Sequence, residues 1–271
     1  MLTRPIPRTG ELLPVIGLGT WQTFDVADVN SRPLAEVLRK FHQAGGRLID
    51  SSPMYGRAEQ AIGSLAAEMP ETEDFCFATK VWTTGKQEGI RQMEESFLKM
   101  NRPWMDLMQI HNMVDWQTHL ETLKAWKAEG RIKYIGITHY TDDSHPELER
   151  IIATGAFDFV QFNYSLFDRH AEERLLAAAE RHRVATLINR PFGEGKHFAH
   201  IANKALPKWA ADYGITSPAQ LLLKYIISHP AVTCVIPATA NPEHAADNLK
   251  AGKGFQFDHR TRQKAVAWAQ A

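Results

Sequence analysis

Eight short apolar runs, spread along the chain and separated by segments of helical periodicity, constrain this sequence more than any other feature. They are VIGLG (15–19), RLID (47–50), FCFAT (75–79), DLMQI (106–110), YIGIT (134–138), FVQF (159–162), VATLI (184–188) and TCVIP (233–237). Runs of this length and composition, bounded by turn residues, read as strands. Between them lie the amphipathic segments PLAEVLRKFHQAG, EGIRQMEESFLKM, HLETLKAWKAEG, ERIIATG, AEERLLAAAERH and SPAQLLLKYIISH. The first ends at a glycine pair, as helix C-termini often do. The last offers Ser217 as N-cap and Pro218 for the first turn. The expected fold is α/β: a (β/α)8 TIM barrel, one domain over residues 1–271, with an outer ring of helices. Seven or nine strands would also fit, since short apolar runs are ambiguous.

The first residues depart from this alternation. LTRPIP, RTGE and LLPVIG read as an N-terminal β-hairpin whose turn includes Thr9-Gly10, closing the bottom of the barrel. Residues 193–209 read as a loop with a short helix, placed to fold over a ligand.

Bulk properties exclude several classes. The formal net charge is zero, so no basic surface draws in nucleic acid or an anionic membrane. No run approaches the ~20 apolar residues of a membrane span. The N-terminus has no apolar region like that of a secretory signal, so a cytoplasmic protein is expected unless a leader has been removed. Cys76 and Cys234 sit in apolar strand-like runs and read as buried free thiols rather than a disulfide. No apolar stripe is left over, so a monomer is expected.

Four polar residues stand at or just beyond strand ends: Asp50, Tyr55, Lys80 and His111. Each alone has a structural explanation. Asp50 could cap a helix, Lys80 could be solvated, Tyr55 could be a packed loop aromatic and His111 a hydrogen-bonded core histidine. A barrel would bring all four to one mouth. There an ammonium favours the phenolate form of a tyrosine and lowers its pKa. A carboxylate would hold that ammonium, and a neutral imidazole could orient a substrate oxygen. Such a set protonates an alkoxide as it forms, but it contains no nucleophile. A nicotinamide cofactor is implied as the source of hydride.

Gly17-Leu18-Gly19-Thr20-Trp21-Gln22 begins like a dinucleotide fingerprint, but Gln22 stands at the third glycine position. A tight turn that throws Trp21 into the mouth fits better. His197 and His200 have a helical spacing but no accompanying acid or thiol set, so no metal site is expected.

LPVIGLGTW, LIDSSPMYG, FATK, QIH, YIGIT, VQFNYSLF and VIPATANPEHAADNL resemble, in order, the signature segments of the aldo-keto reductases. The resemblance spans about residues 10–250. It implies a barrel that binds NADP(H) at its C-terminal face and reduces aldehydes or ketones to alcohols, with a small-molecule carbonyl compound as substrate. It assigns Tyr55 as proton donor, Lys80 as modulator of its acidity, Asp50 as partner of Lys80 and His111 as the residue orienting the carbonyl.

For the cofactor the resemblance implies contacts from Gly19, Thr20 and Trp21, from Thr138 and His139, from Gln161, from Asn189, Arg190 and Pro191, and from Ala238, Thr239, His244, Asp247 and Asn248. Several of these depart from the common pattern. Thr138-His139 stands where a Ser-Asn pair is usual, and Asn189 or Arg190 where a stacking tyrosine is common. Ala238 and His244 replace the two cations that usually grip the 2′-phosphate, so NADP(H) is expected while NAD(H) stays open. Trp21, Phe24, Met54, Trp82 and Trp116 are expected to wall the substrate pocket, with a short C-terminus leaving it open and broad in specificity. Two other functions fit parts of the pattern: a nucleotide-binding redox-sensing subunit with little turnover, and a barrel hydrolase or isomerase working without nicotinamide.

Overall fold

The computed structural model describes residues 1–271. Two short antiparallel strands, β1 (Thr3–Pro5) and β2 (Leu12–Pro14), form the hairpin. Eight parallel strands follow: β3 (Leu18–Gly19), β4 (Leu48–Asp50), β5 (Cys76–Val81), β6 (Met105–Ile110), β7 (Ile132–Thr138), β8 (Phe159–Asn163), β9 (Ala185–Asn189) and β10 (Cys234–Val235). Neighbours in sequence are neighbours in the sheet throughout. Parallel bridges Ile16–Val235 and Gly19–Ala238 join the first strand segment to the last. Gly19 permits this closure, because a Cβ there would lie 2.7 Å from the Ile236 carbonyl oxygen. All eight expected strands are present, each within three residues of its sequence-based bounds.

The helices are α1 (Arg32–Gln43), α2 (Ala58–Ala67), α3 (Lys86–Lys99), α4 (Trp116–Ala128), α5 (His145–Ile152), α6 (Leu175–Arg181), α7 (Lys196–Ile201), α8 (Pro218–Ile227), α9 (Pro242–Lys250) and α10 (His259–Gln270). Ser217 caps α8 through its side chain, which accepts from Gln220 N. Helix α2 was not legible in the sequence. Its packed face is mostly Ala and Gly, and a Cβ at Gly63 would lie 2.2 Å from the Lys99 carbonyl oxygen. Close backbone approach replaces the large apolar side chains that give a helix its periodic signal.

Strand residues divide by the two-residue period of the pleat. Ile49, Phe77, Val81, Met108, Ile110, Ile135, Ile137, Val160, Phe162 and Ile188 belong to the large core cluster that also contains the helix residues. Their alternates Leu48, Ala78, Leu107, Tyr134, Phe159, Ala185 and Leu187 form a second cluster inside the barrel, which Ile6 and Leu13 of the hairpin region join. The hairpin therefore seals the end where the strands begin, as the sequence suggested. Tyr134 reinforces the seal by donating to Glu11 Oε2 at 2.6 Å. Both cysteines are free thiols; Cys234 is buried as expected, whereas Cys76 is only partly buried.

Candidate active site

Above the apolar interior layer, the inward-facing positions turn polar. Asp50, Lys80, Gln109, Thr138, Gln161 and Asn189 each lie at or near the C-terminal end of a different strand, and the first five are buried. Register explains the grouping: Lys80 pairs with Gln109 across β5 and β6, and Thr138 with Gln161 across β7 and β8. Lys80 extends β5 beyond its expected end, so its side chain points into the barrel rather than into solvent.

A buried ammonium and carboxylate are costly unless fully hydrogen-bonded. Lys80 Nζ donates to Asp50 Oδ2 at 2.6 Å and to the Ser51 carbonyl oxygen at 2.7 Å. Asp50 Oδ1 accepts from Gln109 Nε2 at 2.7 Å and from Gln161 Nε2 at 3.0 Å. Gln109 was not singled out in the sequence. Its signal was a lone amide inside LMQI, and Gly136 makes room for it, since a Cβ there would lie 2.6 Å from Gln109 Cγ.

Tyr55 arrives from the β4–α2 loop. Gly56 turns that loop with φ +59°, and Arg57 N donates to Asp25 Oδ1 at 3.0 Å to fix it. The Lys80 ammonium lies 5.0 Å from the centre of the Tyr55 ring. Two of its three N–H groups are committed to Asp50 and Ser51, which leaves the third for the Tyr55 side of the site. Burial opposes the charge on Lys80, but Asp50 and Tyr55 outweigh it and raise the lysine pKa above its ordinary value.

The balance at Tyr55 differs from the sequence-based expectation. Burial of the hydroxyl raises its pKa, and Lys80 lowers it less than burial and Asp50 raise it. The phenol thus holds its proton at neutral pH. The ammonium acts by favouring the phenolate left after the proton departs.

His111 follows β6 and meets Tyr55 edge-on, with ring centroids 5.8 Å apart. Its Nδ1 lies 3.0 Å from Ser52 Oγ. Burial, then the charge of Lys80, then His139, depress its pKa to about 2, so the ring is neutral. Ser52 is a second residue missed in the sequence, hidden in a loop rich in small polar residues.

These groups open onto a cleft of about 580 Å³ at the C-terminal end of the barrel. Its lining includes Gly19, Thr20, Trp21, Thr138, His139, Gln161, Asn189, Arg190, Pro191 and Ala238 from the expected cofactor set, and Trp21, Met54 and Trp82 from the expected substrate wall. Tyr140 and Phe198 add aromatic surface that the sequence did not reveal. Phe198 comes from α7, so the 193–209 segment does reach over the cleft. Two expected wall residues lie elsewhere. Phe24 is fully buried in the core, and Trp116 packs against Phe157 at the start of α4 with centroids 6.2 Å apart. The loop after β3 turns Phe24 fully inward, and Trp116, the first residue of α4, packs partly buried against the core.

The adenosine-end residues are dispersed. Thr239 and Asn248 share a shallow hollow beside Phe41 and Leu249. His244 is exposed on the first turn of α9. Asp247 accepts from Gln220 Nε2 at 2.5 Å and from Ser217 Oγ, which ties it to α8. Asn241 caps α9, accepting from Glu243 N at 2.8 Å and His244 N at 3.4 Å. Those N–H groups are therefore less available to a phosphate than the sequence suggested.

Eight parallel strands within an outer helical ring form a (β/α)8 barrel, with a Lys–Asp pair beside a tyrosine and a histidine at its C-terminal mouth. Residues 15–264 match the family model for the Aldo/keto reductase family, and the chain belongs to that family. It is similar to the methylglyoxal reductase YeaE of Escherichia coli K12, at 26% identity over 242 residues, covering 87% of this chain and 84% of that protein. In fold it matches an aldo-keto reductase of Klebsiella pneumoniae in complex with NADPH, with a TM-score of 0.82 at 24% identity, over 98% of this chain and 94% of the other. A further Klebsiella pneumoniae aldo/keto reductase, in complex with NADP and acetate, gives a TM-score of 0.78 at 25% identity, over 94% and 91%. No helix is long and apolar enough to cross a membrane.

Proposed function

We propose that this chain reduces aldehydes or ketones to alcohols with a nicotinamide cofactor, Tyr55 supplying the proton. The observation that carries this reading is the Lys80 ammonium, buried, locked by Asp50 at 2.6 Å and standing 5.0 Å from the Tyr55 ring in the cleft wall. The cytoplasm is the compartment that suits such a reaction.

The cleft suits a nicotinamide. Asn189 Oδ1 and Asn112 Oδ1 are buried without hydrogen-bond partners, and both residues line the cleft. A carboxamide NH2 would satisfy Asn189 Oδ1. Thr138 and Gln161 flank the same place, although the Gln161 NH2 is held by Asp50 and Gln109 and its oxygen accepts a long bond from Asn189 Nδ2 at 3.5 Å. A bound reduced nicotinamide supplies hydride to the carbonyl carbon. Trp21 packs on Tyr55 with centroids 4.9 Å apart, narrowing the space between that site and the proton donor.

The protein's own part is to manage the oxygen. Neutral His111 donates from Nε2 and points the carbonyl at Tyr55. As the carbonyl carbon is reduced, the Tyr55 O–H bond breaks and a new O–H bond forms on the substrate. The resulting phenolate is stabilised by the Lys80 ammonium, and Asp50 keeps that ammonium in place. An alkoxide is a stronger base than a phenolate, so the transfer runs downhill even with the Tyr55 pKa raised.

Aromatic walls from Trp21, Trp82, Tyr140 and Phe198 suit moderately apolar carbonyl compounds. The resemblance to a methylglyoxal reductase adds small dicarbonyls to the panel. NADP(H) is the cofactor we favour, through the family. The test is loss of nicotinamide absorbance with NADPH or NADH across a panel of aldehydes and dicarbonyls, including methylglyoxal and 4-nitrobenzaldehyde. Turnover with several substrates supports the reading. Tight cofactor binding with no turnover across the panel would instead favour a redox-sensing role.

A further inference from the structure

Outside the cleft, one group of side chains is arranged as metal ligands are. Asp142 lies in the turn before α5, His145 begins α5, and His170 lies in the turn after β8. One donor atom from each lies within 4.8 Å of the others. His145 Nδ1 and His170 Nδ1 face each other at 3.0 Å.

The surrounding hydrogen bonds decide which nitrogens are free. Asn163 Nδ2 donates to Asp142 Oδ1 at 2.6 Å, which orients the Asn163 amide. Its Oδ1 then accepts from His145 Nε2 at 3.0 Å, so the proton of neutral His145 sits on Nε2 and Nδ1 presents a lone pair. At His170, Nδ1 turns inward toward His145 Nδ1, while Nε2 lies 3.7 Å from Glu173 Oε2, too far for a hydrogen bond. Metal-bound histidines are held as His145 is, one ring nitrogen donating to an oxygen and the other bound to the ion. Zinc–nitrogen bonds of ~2.0–2.1 Å at a tetrahedral angle put two ligand nitrogens about 3.3 Å apart. The spacing here is only slightly shorter. Asp142 is partly exposed and has a second oxygen to offer. His170 is exposed, so an ion can enter from solvent.

We propose that Asp142, His145 and His170 bind one divalent transition-metal ion of the zinc class, leaving a coordination position for water. Such an ion would clamp the β7–α5 connection to the β8–α6 connection. The clamp lies beside the cleft but takes no residue from its lining.

The test is calorimetric titration of ZnCl2 into metal-stripped full-length protein at neutral pH, comparing wild type with His170→Ala and Asp142→Asn. Both substitutions are at solvent-accessible positions, and overlapping metal-free thermal melts would establish that the variants fold. The expected result is one zinc per chain in wild type, an affinity at least about tenfold weaker in each variant, and a zinc-dependent rise in melting temperature only in wild type. The chain has 12 histidines, and a site elsewhere would survive both substitutions. Undiminished binding in either variant, or no binding in wild type, would overturn the proposal.

Discussion

Ser52 Oγ lies 3.0 Å from His111 Nδ1, and this contact leaves Nε2 as the nitrogen available to a bound carbonyl. Ser52 Oγ already accepts from Met54 N at 3.4 Å, so its hydroxyl proton is free to go to the ring. A hydroxyl proton given to Nδ1 puts the ring hydrogen on Nε2, the tautomer that the proposed role of His111 needs.

His111 should leave a mark on stability against pH. Its folded pKa is depressed to about 2, by burial first and then by Lys80 and His139. An unfolded histidine titrates near pH ~6.5. Between those values the unfolded chain holds a proton that the folded chain lacks, so stability rises with pH. The contribution is fully present above about pH 6.5 and drains away as pH falls toward about 2. Urea midpoints at pH 5 and pH 7 should differ less in His111→Gln than in wild type, by up to ~1.4 kcal/mol per pH unit. Equal slopes would show that His111 is not buried neutral.

The Asp50–Lys80 pair should be strongly coupled. Removing one partner leaves a buried charge or two amides without their acceptor, at about 3–5 kcal/mol. Lys80→Met and Asp50→Leu should each destabilise by that order, and the double variant by clearly less than the sum. Chemical denaturation of all four proteins checks this; simple additivity would mean the pair is not a unit.

Gly136→Ala tests the space reserved for Gln109. The added methyl would displace the amide that holds Asp50. We expect a loss of about 1–3 kcal/mol and a fall in kcat, measured by thermal melts and steady-state assay. Full activity would show that Gln109 can move without disturbing the pair.

Cofactor choice can be tested at His244, exposed on the first turn of α9. His244→Arg restores a fixed cation near the expected 2′-phosphate position. It should tighten NADPH binding severalfold and leave NADH unchanged, read by fluorescence titration. An equal effect on both cofactors would place the phosphate elsewhere.

The barrel was readable because its inner and outer apolar positions recur with strand period, and each strand is bounded by turn residues. The four central residues stood out only as a set: each alone has a structural explanation, and only a barrel brings all four to one mouth. Helix α2 was hidden by its Ala- and Gly-rich face. Gln109 and Ser52 were hidden because amides and small hydroxyls occur everywhere, and only register and loop geometry show where they point. Phe24 and Trp116 show the converse: position after a strand does not decide whether a ring faces the cleft or the core. The raised Tyr55 pKa follows from burial, which sequence proximity to a lysine does not reveal.

The measurement closest to the central claim is single turnover by Tyr55→Phe, set beside its cofactor affinity. With NADPH and an aldehyde that wild type reduces, the variant should bind cofactor with unchanged Kd and lose roughly 10²–10⁴ in the rate of reduction. A variant that reduces the same aldehyde within tenfold of the wild-type rate would contradict the assignment of the proton to Tyr55.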